Sequence, residues 1–86
     1  MTWLSPSEGP PLKSLRTPAH RELLRRLVAA RSRKGVTQHE LAKKLRRHQS
    51  FVAKYERGER RLEVIEFVQI CRELGVSAES ILKNLR

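Results

Sequence analysis

Eighty-six residues, 38% of them hydrophobic, suffice for one small domain with a single core, and no apolar run has the length of a membrane-crossing helix. A lone cysteine excludes an internal disulfide and a multi-cysteine zinc site, and the N-terminus lacks the basic start and apolar stretch of a signal peptide, so a cytoplasmic chain is expected. Nineteen Lys and Arg against nine Glu give +10, and the excess is localised: residues 16–61 carry net +11, residues 62–86 net −1 and residues 1–15 none. Charge concentrated in this way fits a polyanion-binding face better than a generic solvated surface.

Residues 1–17 contain Pro6, Gly9, Pro10 and Pro11 without sustained periodicity, and read as an extended or mobile arm ahead of a domain over residues 18–86. Trp3 and Leu4 are the arm's strong apolar pair. Thr17-Pro18 then opens a helix: threonine supplies the capping oxygen, and proline occupies a first turn that needs no N–H. Leu23, Leu24, Leu27, Val28 and Ala30 follow at helical spacing, which predicts an amphipathic helix from Pro18 to Arg33, ended by Gly35.

Thr37 and Glu40 have the spacing of a capping box, so a second helix starts there and buries Leu41, Ala42 and Leu45. A third begins near His48 or Gln49, buries Val52 and Tyr55, and stops at Gly58. Its exposed face carries Gln49, Ser50, Ala53, Lys54 and Arg57. A fourth, about Glu63 to Leu74, is expected to bury Val64, Phe67, Val68, Cys71 and Leu74 before Gly75. Ser77 caps a short fifth helix with Ile81, Leu82 and Leu85. Strand-forming runs of Val, Ile and Thr are absent, so the fold class is all-α, a compact bundle of five helices.

The second and third helices, joined by a turn of about three residues, have the spacing of a helix-turn-helix. Small or apolar residues stand where two such helices would touch: Ala42, Leu45, Val52 and Tyr55. The residues then left facing outward suit base edges, since Gln pairs bidentately with adenine, Ser with any base and Lys with guanine.

Thr37-Gln38-His39-Glu40-Leu41-Ala42, Tyr55-Glu56-Arg57-Gly58 and Glu73-Leu74-Gly75-Val76-Ser77 together resemble the lambda-repressor-like family, which includes phage Cro and repressor domains and bacterial Xre-type regulators. The resemblance covers about residues 20–85. It implies base contacts from Gln49, Ser50 and Lys54, and phosphate contacts from Gln38, Arg57, Arg60 and Arg61. It also implies a structural ion pair between Arg31 and Glu56, which makes Glu56 architecture and not a catalytic acid. Small members often dimerise through helix five, so Val76, Ile81, Leu82 and Leu85, with Ile65, are expected at a homodimer interface. The resemblance implies a bacterial or phage-encoded protein of the cytoplasm, associated with the nucleoid.

Two positions depart from the family pattern. Arg46 stands where the turn usually has glycine, so either the turn is distorted or helix two runs longer. His48 stands where helix three usually has a Ser or Thr cap. In compensation, Arg46 and Arg47 lie beside the groove, within reach of phosphates. Phe51 is expected to pack against helix two in preference to touching a thymine methyl group.

The three histidines have no metal-ligand spacing, Cys71 reads as a core residue, and Ser50 has no triad around it, so no metal, cofactor or enzymatic activity is expected. The leading reading is a sequence-specific transcriptional regulator, a repressor, bound to double-stranded DNA as a dimer on an inverted repeat. A second reading is an antitoxin-like module that masks a protein partner through its arm and binds its own operator. A third is a coating of nucleic acid by charge alone.

Overall fold

A computed structural model describes residues 17–85; the arm and its Trp3-Leu4 pair lie outside the described residues, apart from Thr17. Five helices and no strand occur among them: α1 (Pro18–Lys34), α2 (Gln38–Leu45), α3 (Gln49–Glu56), α4 (Val64–Leu74) and α5 (Ala78–Leu82). No helix there is long and apolar enough to cross a membrane.

Each helix starts where a side chain satisfies the first free amides. Thr17 Oγ1 accepts from the His20 N–H at 3.1 Å, with Pro18 as the first helical residue. Thr37 and Glu40 exchange bonds of 3.0 and 2.9 Å, closing the capping box of α2. Ser77 Oγ accepts from the Ser80 N–H at 3.0 Å and starts α5. α1 and α4 end at Gly35 and Gly75, in the left-handed region at φ 76° and 71°.

The turn between α2 and α3 is neither distorted nor displaced. Arg46 itself takes the left-handed conformation, φ 59° and ψ 40°, and α2 ends at Leu45. The Arg46 N–H reaches Lys43 O at 3.1 Å and the Arg47 N–H reaches Ala42 O at 2.9 Å, so the terminal carbonyls are satisfied as a glycine turn would satisfy them. A side chain in this region costs about 1–2 kcal/mol. α3 then begins at Gln49 behind a histidine cap, because His48 Nδ1 accepts from the Ser50 N–H at 3.2 Å.

Leu27, Leu41, Val52, Tyr55 and Ile70 are fully enclosed and form the centre of one core. Leu24, Ala30, Ala42, Phe51, Phe67, Cys71, Leu74 and Ile81 complete it. Burying one such aliphatic side chain contributes about 1.5–3 kcal/mol, and the packing sets α1 and α2 each against both α3 and α4.

One expected core residue is corrected, and one that the sequence pattern did not single out is added. Val64 is 75% exposed, because it stands in the first turn of α4 with no described residue packed over it. Ile70 is 0% exposed and takes the central place on that helix. Phe51 is buried, 5.5 Å from the Tyr55 ring in an edge-on arrangement, in agreement with the packing expected of it.

If Arg46 holds a strained turn, Arg46→Gly should stabilise the chain by about 1 kcal/mol. In a domain of this size that raises Tm by roughly 4–8 °C in a thermal melt. A lower Tm would mean that the arginine side chain offsets the strain through interactions of its own.

Candidate nucleic-acid interface

α3 presents one exposed face. Its core side, Phe51, Val52 and Tyr55, is buried, so helical geometry turns Gln49, Ser50, Lys54 and the following Arg57 outward. The Ser50 hydroxyl lies 3.0 Å from His48 Nδ1. Lys54 and Arg46 form no salt bridge among the described residues.

The C-terminal end of α3 is fixed from behind. Arg31 of α1 donates to both oxygens of Glu56, Nε to Oε2 at 2.7 Å and Nη2 to Oε1 at 3.1 Å. Gln38, the first residue of α2, donates from Nε2 to Glu56 Oε1 at 2.7 Å. The Glu56 side chain is only 6% exposed, so this carboxylate is a buried charge with three donated hydrogen bonds. Arg31 also holds the Val36 carbonyl at 2.9 Å, tying in the loop that leads to α2. Gln38 keeps its second amide hydrogen for another acceptor.

The basic residues around α3 are largely held by carboxylates. Glu66 of α4 accepts from Arg60 through both oxygens, at 2.8 and 3.0 Å, and from Arg47 at 2.9 Å. Both guanidinium groups lie over the Phe51 ring, 4.1 Å away for Arg47 and 4.7 Å for Arg60. Arg57 pairs with Glu59 at 3.0 and 3.2 Å, fully in solvent. Arg61 is exposed and engaged in an interaction of its own.

Glu66 is a site residue that the sequence pattern did not single out. Its signal was present: Glu63 and Glu66 form a capping box at the start of α4, with Glu66 Oε1 accepting the Glu63 N–H at 3.0 Å. That bond leaves the carboxylate facing the basic rim. The bonds from Arg60, then the Glu63 amide and Arg47, hold its pKa down to about 2.

The residues expected at a dimer interface are not equivalent. Ile65 and Leu82 are exposed, at 66% and 48%. Val76 and Leu85 are half-buried, Val76 packing against the core. Ile81 is 4% exposed and belongs to the core, since the short α5 turns this side chain inward while Arg26 of α1 holds the Ile81 carbonyl at 2.8 Å. No cluster of His, Cys, Asp and Glu able to hold a metal occurs among the described residues.

The arrangement is a capped helix with a polar outer face, braced at its base and bordered by arginines. It matches the helix-turn-helix family (HTH_3) over residues 27–81. An XRE-family like protein from Pseudomonas syringae pv. tomato str. DC3000 is 43% identical, with 94% of each chain covered and a TM-score of 0.77. No curated protein matches the chain. The chain belongs to the Xre-type, lambda-repressor-like helix-turn-helix family, a family of DNA-binding transcription regulators.

Arg31→Ala removes the main partner of a nearly buried carboxylate, which should cost about 3 kcal/mol of stability in a denaturant melt. An unchanged midpoint would show that Gln38 and water satisfy Glu56 alone. Glu66 makes a separate prediction. Because its folded pKa lies below the ordinary 4.5, its stabilisation is complete above about pH 4.5 and disappears as pH falls towards about 2. Glu66→Gln should therefore flatten the decline of Tm over that acid range. The comparison separates Glu66 from Glu22, Glu40 and Glu59, whose carboxyls are also held low.

Proposed function

We propose that the chain is a sequence-specific transcriptional repressor that binds an inverted-repeat operator as a homodimer, with α3 in the major groove. The observation that carries this reading is the outward face of α3, where Gln49, Ser50 and Lys54 stand exposed on a helix whose other side is wholly buried. Gln49 and Ser50 read bases from the first turn and Lys54 from the next. Gln38, Arg46, Arg47, Arg57, Arg60 and Arg61 supply the sequence-independent grip on phosphates.

One eight-residue helix spans few base pairs, so a second copy extends the site, with half-sites ~10 bp apart. Ile65 and Leu82 are the exposed apolar residues for that interface, with Val76 and Leu85 beside them; Ile81 supports it from within. The activity is binding, without a chemical step.

Selection of duplexes from a random pool at physiological salt tests the reading. An enriched inverted repeat is the expected product. Retention without enrichment would leave only phosphate binding and sink the base-reading role. On the enriched site, Lys54→Ala should change the preferred base at one position per half-site and cost about 1–3 kcal/mol. Arg57→Ala should instead weaken all sequences alike and make the salt slope shallower by about 0.9 for each phosphate that is no longer neutralised.

A further inference from the structure

Glu66, at the start of α4, accepts four hydrogen bonds: two from Arg60 at 2.8 and 3.0 Å, one from Arg47 at 2.9 Å and one from the Glu63 N–H at 3.0 Å. A carboxylate offers about four acceptor positions, so this one is saturated. Its side chain is only 12% exposed, and both guanidinium groups rest on the ring of the buried Phe51. The capping box of α4 needs one of these bonds. The other three set a negative charge against two of the arginines that the proposed function gives to phosphates. The trio then carries one net positive charge in place of two.

We propose that Glu66 is an internal counterion of the rim: in the free protein it occupies the place of a DNA phosphate on Arg47 and Arg60, and a duplex takes these arginines by exchange. The inference rests on phosphate binding by the rim, and not on base reading by α3. Bonding geometry provides the route. Among the described residues Arg47 uses one of its five N–H donors, and Arg60 three, counting a bond of 2.9 Å to the Arg61 carbonyl. Each guanidinium therefore keeps an open edge, at which a phosphate arrives while Glu66 still holds the other. Two anions then face the same cations, and their repulsion is relieved as the carboxylate withdraws.

Arg57 and Glu59 show the difference that burial makes. Glu59 is 54% exposed, so water already competes for that pair and a phosphate displaces the carboxylate with little resistance. Protonation does not release Glu66 near neutral pH, because the bonds from Arg60, then the Glu63 amide and Arg47, hold its pKa down to about 2. Another anion must take the arginines over. The affinity for any duplex is thereby set below what the number of arginines would give.

Glu66→Gln in the full chain tests this, since glutamine removes the charge and keeps an acceptor for the Glu63 amide. Glu22→Gln is the matched control. Glu22 also holds two arginines, Arg25 and Arg26, but on α1, where Arg26 reaches the Ile81 carbonyl of α5. Both variants lose one negative charge. On a random-sequence duplex, Glu66→Gln is expected to bind more tightly than Glu22→Gln. Its salt slope should be steeper than that of the unaltered chain by about 0.9, one more phosphate neutralised. Equal affinity of the two variants overturns the proposal, because charge alone then explains any gain. So does weaker binding by Glu66→Gln than by the unaltered chain, which would make the carboxylate a support for the arginines. Circular dichroism checks the helices. If Glu66→Gln has lost them, Glu66→Asp carries the test: it keeps the charge, shortens its reach and should bind more tightly than the unaltered chain, with equal or weaker binding overturning the proposal. If the unaltered chain retains no duplex, the DNA reading fails separately. The salt that elutes each chain from heparin, a polyanion without bases, then decides on Glu66, and Glu66→Gln must elute after Glu22→Gln.

Discussion

The Glu56 carboxylate is the constraint on which the recognition geometry rests. It ends α3, yet its partners come from α1 and α2: Arg31 at 2.7 Å and Gln38 at 2.7 Å. An unpaired charge at 6% exposure would cost several kcal/mol, so the three helices are held where the carboxylate is satisfied. Apolar packing does not impose this by itself. Leu27, Leu41, Val52 and Tyr55 fill the space between the helices, but dispersion and burial tolerate small rotations that directional hydrogen bonds do not. The polar node thus fixes the angle at which α3 leaves the body.

A second carboxylate governs the rim. Glu66 pairs with both Arg47 and Arg60 and offsets one of their two charges, and Phe51 gives both guanidinium groups a flat surface to rest against. The high formal charge therefore overstates what the rim offers to a polyanion. Holding two arginines in place removes up to about 2 kcal/mol of side-chain entropy from each before a ligand arrives. A phosphate must nevertheless compete with Glu66 for them. Arg46 and Lys54, which form no salt bridge among the described residues, face no such direct competition.

The helix ends were legible because local chemistry decides them. Thr17-Pro18, the Thr37–Glu40 pair, Ser77 and the glycines each satisfy backbone groups within a few residues. Outward-facing residues of α3 were legible for a related reason, since Val52 and Tyr55 fix the phase of the helix. Phase was less informative on α4. Val64 and Phe67 share a face, but whether that face is covered at its N-terminal end depends on residues distant in sequence. Ile81 failed for the same reason: a five-residue helix shows too little pattern to tell a core side chain from an exposed one, and its packing against α1 decides. Glu66 was hidden by its proximity in sequence to its own helix cap, which accounts for only part of what the carboxylate does.

The structure separates what folds the chain from what it presents. α3 is held at its start by His48, at its end by Glu56 and along its inner side by Phe51, Val52 and Tyr55. None of these bonds uses the side chains of Gln49 or Lys54, and the cap at Ser50 uses the backbone N–H. Exposed substitutions of that kind usually change stability by no more than about 0.5 kcal/mol. Residues on the outer face can therefore vary with little risk to a small core, whereas Arg31, Gln38 and Glu56 cannot. A fold arranged in this way can change the surface it offers without changing the angle at which it offers it.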